Sequence, residues 1–159
     1  MIMSESADRK YTLDELGQLE SLDVDALRSM YTLELVGEHF YNTLAERVGN
    51  EQAAELLRRN GREEAGHARR IERAIAIKLG HPFVPTPAEL ERPNMQLPEN
   101  VGAELLGVIV QAEFDGDAGY QRWADNEELP EVERLLRLNG REESIHGRRV
   151  EQAIALLTQ

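Results

Sequence analysis

The chain has 159 residues, no cysteine and a formal net charge of −12. That length suits one domain with one core, and the missing cysteines exclude disulfides, thiol catalysis, zinc ribbons and iron–sulfur clusters. The negative charge argues against a nucleic-acid partner, because phosphate would be repelled; it fits either an attraction for small cations or simply a solvated acidic surface.

The first residues, MIMSESADRK, lack the apolar run of a signal peptide. No segment is apolar enough over the length of a membrane span, so no membrane partner and a cytoplasmic location are expected. TLDELGQLESL, residues 12–22, reads as a short lead-in whose Thr12 and Glu15 have the spacing of a capping box. A first long helix is predicted from about Asp25 to Val48, stopping at Gly49. Asn50 then caps a second helix that ends at Gly80. Five of the six prolines crowd into residues 81–100, HPFVPTPAELERPNMQLPEN, and divide the chain. A third helix is predicted from about Val101 to Glu127, and Pro130 suits the first position of a fourth, which continues nearly to Gln159. No segment alternates as a strand would.

The two halves repeat. NGREEAGHARR at residues 60–70 returns as NGREESIHGRR at 139–149, and residues 60–77 match 139–156 at 12 of 18 positions. The same offset of 79, without a gap, pairs Glu34 with Glu113, Gly37 with Gly116 and Tyr41 with Tyr120. A two-helix unit cannot bury its own apolar face, whereas two such units can bury each other's. The expectation is one all-α domain over residues 1–159, with hairpins at about 25–79 and 101–158 and a linker at about 80–100. The linker is too long for a simple turn. Extended at ~3.1 Å per residue, it could run the length of a helix, which favours a bundle with one long crossover.

Each helix has an apolar stripe, and each stripe is broken near its middle by ionisable residues. These are Glu34 on the first helix, Glu64 and His67 on the second, Glu113 on the third, and Glu143 and His146 on the fourth. Glu34 and Glu64 are centred on the first turn, Glu113 and Glu143 on the second, so each pair should lie level across its hairpin. Four buried carboxylates without partners would each cost several kcal/mol, against a total stability of ~5–15 kcal/mol. Arginine could compensate, but Arg62, Arg69, Arg70 and their repeat mates sit mostly off the stripe and are expected in solvent. Two divalent cations fit better, because four carboxylates and two neutral imidazoles carry a charge they cancel. A site balanced in this way suits two-electron chemistry with oxygen or peroxide.

This pattern resembles the ferritin-like di-iron carboxylate proteins, in particular their rubrerythrin-related branch. The resemblance rests on Glu34, EAGH at 64–67, Glu113 and ESIH at 143–146, and covers residues from about 25 to 158. It implies a ferritin-like four-helix bundle holding two metal ions, most naturally iron, with manganese or a mixed pair as alternatives. It implies that Glu64 and Glu143 bridge the metals, while Glu34, Glu113, His67 and His146 are terminal ligands. Relatives often place a tyrosine where Tyr41 and Tyr120 stand, hydrogen-bonded to a ligand carboxylate; the alternative is a core tyrosine with a satisfied hydroxyl. Glu63 and Glu142 could accept a ligand imidazole N–H, or form part of a solvated acidic face. Glu38 and Asp117 could supply the extra exchangeable carboxylate of rubrerythrins, or lie at the edge of the bundle. His39 and His81 read as surface residues. Gly37, Gly66, Gly116, Gly119 and Gly147 read either as close packing or as an opening beside the metals.

The implied activity is oxidoreduction with H2O2 or O2 as small-molecule substrate, in the manner of a peroxidase or a ferroxidase. Rubrerythrins commonly draw electrons from a cysteine-ligated iron, so this cysteine-free chain would need an external electron donor protein. Storage ferritins carry a short fifth helix that has no counterpart here, which argues against storage. An oxygenase acting on a small organic substrate and a non-catalytic, metal-stabilised bundle are the competing readings. A homodimer is a family expectation.

Overall fold

The structure is a computed structural model and describes residues 10–159. Residues 1–9, where no leader is expected, lie outside the described residues. Among the described residues the regular elements are helices: α1 (Leu13–Gly17), α2 (Val24–Arg47), α3 (Glu51–Leu79), α4 (Ala103–Asp125) and α5 (Pro130–Leu157), with one 3-10 turn at Ala88–Leu90. None of them is long and apolar enough to cross a membrane.

Local chemistry sets the ends. The capping box of α1 is complete: Glu15 N–H donates to the Thr12 hydroxyl at 3.2 Å, and Thr12 N–H donates to the Glu15 carboxylate at 2.7 Å. α2 starts at Val24 because the Asp23 carboxylate takes the Ala26 N–H at 2.8 Å. Asn50 does the same for α3, accepting from Ala53 at 3.0 Å. Gly80 closes α3 in the left-handed region at φ 74°, where a side chain would be strained. Pro130 opens α5, where its missing N–H costs nothing.

α2 and α3 form one antiparallel hairpin, α4 and α5 the other, and α3 packs on α5. The crossover runs along α2. Near the start of that helix Arg28 pairs with Glu89 at 2.6 Å, and the Thr32 hydroxyl donates to the Glu89 carbonyl at 3.1 Å. At its end Arg47 donates to the Leu97 carbonyl at 2.7 Å, and Val101 N–H donates to the Arg47 carbonyl at 3.0 Å. α4 therefore begins where α2 ends and runs antiparallel to it. This is the long-crossover, ferritin-like bundle the linker length predicts.

The core falls into two apolar clusters. One contains Leu27, Ile71, Ile75, Val132 and Leu136. The other contains Leu44, Leu57, Leu106, Val150 and Ala153. Each fully buried aliphatic side chain adds ~1.5–3 kcal/mol. Glu34, Glu64, His67, Glu113, Glu143 and His146 are all buried as well, on the same stripes as these apolar residues. Such positions would add more stability if filled with leucine, so their chemistry needs another explanation.

Candidate metal centre

The six residues converge from all four long helices. One donor atom each from Glu34, Glu64, His67 and Glu143 lie within 4.8 Å of one another. One each from Glu64, Glu113, Glu143 and His146 do the same. Glu64 and Glu143 belong to both groups. The two imidazoles stack, with centroids 5.1 Å apart and planes 15° from parallel.

Each ring has an inner and an outer nitrogen. His67 Nδ1 lies 3.4 Å from Glu34, 3.4 Å from Glu64 and 3.3 Å from Glu143. His146 Nδ1 lies 3.5 Å from Glu64, 3.6 Å from Glu143 and 3.7 Å from Glu113. Both Nδ1 atoms are buried and neither makes a hydrogen bond. Buried polar atoms nearly always have a partner, and a metal ion among the facing carboxylates would supply one to both nitrogens. The outer Nε2 atoms are held across the bundle, His67 by Glu142 at 2.9 Å and His146 by Glu63 at 3.1 Å. Each glutamate thus serves the histidine of the other hairpin, not the one nearby on its own helix.

Arginines fix those glutamates. Arg70 donates to both Glu142 oxygens at 2.8 Å, and Arg149 donates to the two Glu63 oxygens at 2.6 and 3.0 Å. These two repeat mates were expected in solvent. Arg149 is instead buried and Arg70 half-buried, while Arg62, Arg69, Arg141 and Arg148 remain exposed. Asn60 and Asn139 complete the symmetry. Their amides donate to the backbone carbonyls of His146 and His67 at 3.2 and 3.3 Å. Their oxygens accept from Arg149 and Arg70 at 3.0 Å each. Their functional part was not read from sequence. The available signal was that both residues sit on the stripe and inside the repeated phrase.

Tyr41 and Tyr120 are also used crosswise. The Tyr41 hydroxyl donates to Glu113 and the Tyr120 hydroxyl to Glu34. Burial raises both phenols well above their usual value, so they remain donors. Glu38 is part-exposed, 4.0 Å from Arg92, and Asp117 accepts from Ser144 and Gln121. Both lie outside the two groups of converging residues. His81 is exposed, His39 half-buried, and neither joins the cluster.

Electrostatics divides the cluster. Burial, reinforced by the charge of Glu64, pushes Glu34 up to about 7. Burial also raises Glu143, with the charges of Glu64 and Glu113 acting in the same direction. Burial opposes ionisation of Glu64 too, but the neighbouring His146 and His67 imidazoles outweigh it and hold its carboxyl low. Burial disfavours the charged imidazoles, yet the surrounding carboxylates win and raise both. The bond from His67, then Arg70, holds Glu142 down at about 2 against its partial burial. Partial burial works against Glu63 as well, but His146 and Arg149 hold it at about 2. Without a cation, protons neutralise this cluster, and a divalent ion would displace them.

Residues 25–93 match the family model described as Rubrerythrin. The matched stretch runs from the start of α2 through α3 into the crossover, and so includes Glu34, Glu64 and His67. The all-helical bundle agrees with a ferritin-like di-iron carboxylate family. Together the rubrerythrin match and the two buried Glu/His groups point to metal ions in this layer. Neither the curated proteins nor the solved structures give a match.

A cleft of about 630 Å³ opens between α2 and α4 and reaches all four clustered glutamates. Gly37, Gly116 and Gly119 line it. A Cβ at Gly37 would stand 3.2 Å from Glu64 Cδ, and one at Gly116 3.5 Å from Glu143 Cγ. Gly66 and Gly147 play no part in this opening. Gly147 packs against Phe114, and near Gly66 only the Arg69 side chain comes close.

Proposed function

We propose that this protein is a non-haem di-iron oxidoreductase that reacts with H2O2 or O2. The observation that carries the proposal is the pair of overlapping donor groups sharing Glu64 and Glu143, with two unpartnered histidine nitrogens aimed into them. In this reading Glu34, Glu64, His67 and Glu143 would hold one metal ion and Glu64, Glu113, Glu143 and His146 a second, with Glu64 and Glu143 available to both. Iron bound there would supply the two-electron redox couple that the apolar surroundings lack.

The chain's own residues prepare the site. Glu63 and Glu142, kept ionised by the histidines and by arginine, hold the Nε2 protons, which leaves Nδ1 as the nitrogen offered to a metal. Tyr41 and Tyr120 orient Glu113 and Glu34 through their hydroxyl bonds. The cleft admits a small oxidant, and the two apolar clusters of the core flank the site. Reducing equivalents come from an external donor protein. Iron also fits the oxygen-rich, mixed nitrogen donor set, as manganese would.

Anaerobic Fe²⁺ titration of the metal-free protein, followed by stopped-flow absorbance with H2O2 and separately with O2, tests this. Two irons per chain, oxidised faster by peroxide and restored by a reductant, are expected for a peroxidase. Faster oxidation by O2 would shift the assignment to a ferroxidase. Iron inert to both oxidants would leave a structural metal bundle and defeat the redox proposal.

A further inference from the structure

The cleft is larger than a small oxidant needs. Its volume of about 630 Å³ compares with ~30 Å³ for one water in the liquid, and lies within the ~300–1,000 Å³ typical of organic-ligand sites. Its origin is a break in the repeat. The α2 wall carries Leu33, Val36 and Phe40; the residues 79 positions later on α4 are Ala112, Asp115 and Gly119. The metal-facing residues are duplicated faithfully, whereas the bulky wall residues are not. Leucine and phenylalanine at 112 and 119 of α4 would narrow the cleft.

From this geometry we infer that the cleft between α2 and α4 binds an uncharged, largely aliphatic organic molecule, with one end against the clustered glutamates. The walls are largely apolar and include Trp123. Asp14 and Asp115 also line the cleft and disfavour an anion. Among the lining residues Arg122 is the one lysine or arginine, and its guanidinium is already engaged by the Gly17 and Leu19 carbonyls at 2.7 and 3.3 Å. The placing of the ligand beside metals rests on the two-metal reading; the binding itself does not.

Trp123 is the one tryptophan of the chain and lines the cleft, so its fluorescence reports occupancy. The test titrates the full chain, metal-free and zinc-loaded, with 1-decanol and with decanoate. Calorimetry provides a second readout. Decanol should bind saturably and more tightly than decanoate. Ala112→Leu and Gly119→Phe, which install the residues of the α2 wall, should each weaken decanol at least about tenfold. Both variants should keep two metals per chain and a cooperative melt. The inference is overturned by the absence of saturable binding, by variants that bind as the parent does, or by tighter binding of decanoate. A dimer that closes the cleft and excludes decanol, seen by sedimentation, also overturns it. Failure of the parent chain to take up two zinc ions, with decanol binding intact, would instead defeat the two-metal reading alone.

Discussion

At the scale of single residues, the centre depends on side chains that touch no candidate metal position. Glu142 and Glu63 each bind a histidine Nε2 and an arginine, which together hold them ionised. Glu142→Gln removes that charge but keeps the shape. Metal affinity should fall ~10–100-fold, as for other partners of metal-bound histidines, while the melt changes little. A metal titration of Glu142→Gln and Glu63→Gln checks this; parental affinity in both would mean that neither orients its histidine. Tyr41→Phe leaves a buried Glu113 oxygen without its donor, so slower oxidation with two metals still bound is expected from stopped-flow traces. The six converging residues were legible in the sequence because burial on a helix stripe and a repeat offset both select them. The pairing of Glu63 and Glu142 across hairpins was not legible. It depends on how α3 and α5 slide against one another, which spacing within one helix cannot specify. The same register draws Arg70 and Arg149 out of solvent.

At the scale of elements, caps and prolines made the helix boundaries readable to within about two residues. Asn50, Gly80 and Pro130 each carry a local physical reason to start or stop a helix, and the structure adds Asp23 as the cap of α2. The glycines were harder to interpret, because a helix-interior glycine states that something comes close without stating what. Gly140 is the clearest case. A Cβ there would meet Gln121 at 2.7 Å, Asp117 at 2.8 Å and the Tyr120 Cβ at 2.9 Å, so glycine sets how closely α5 approaches α4. Gly37 and Gly116 are repeat mates with unequal room. A methyl at 37 would press on Glu64 at 3.2–3.4 Å, while one at 116 would meet Glu143 at ordinary contact distances from 3.5 Å. Gly37→Ala should therefore weaken metal binding severalfold, and Gly116→Ala should leave it nearly unchanged. Equal effects in a metal titration would refute the steric argument. The cleft itself could not be read from the helices one at a time. Leu33 against Ala112 and Phe40 against Gly119 gain meaning only once α2 and α4 are known to stand opposite each other.

At the scale of the whole molecule, the candidate centre joins the two hairpins, since each donor group draws on both. A metal that binds only the folded chain stabilises it by mass action, ~2.7 kcal/mol at a hundred times its dissociation constant. The size of this gain should depend on pH, and its sign follows from the protons already in place. In the metal-free fold Glu34 titrates at about 7, and Glu143, His67 and His146 are also raised above their ordinary values. Groups raised by folding hold more protons in the native than in the unfolded chain, so their contribution is complete at low pH and is lost as pH rises through the folded values. Glu63 and Glu142, lowered to about 2, act in the opposite sense, but their contribution is already complete above the ordinary carboxylate range. Metal-free stability should therefore decline from about pH 5 to about pH 8. Over the same window metal needs fewer protons displaced, so its affinity should increase. The gap in melting temperature between metal-loaded and metal-free protein is expected to widen steadily from pH 5.5 to 8, with protons released on binding near pH 7. Calorimetry in two buffers of different ionisation enthalpy, together with melts at each pH, measures both quantities. A gap that stays constant with pH, or binding without proton release, would mean that the cations bind elsewhere than among these carboxylates and imidazoles.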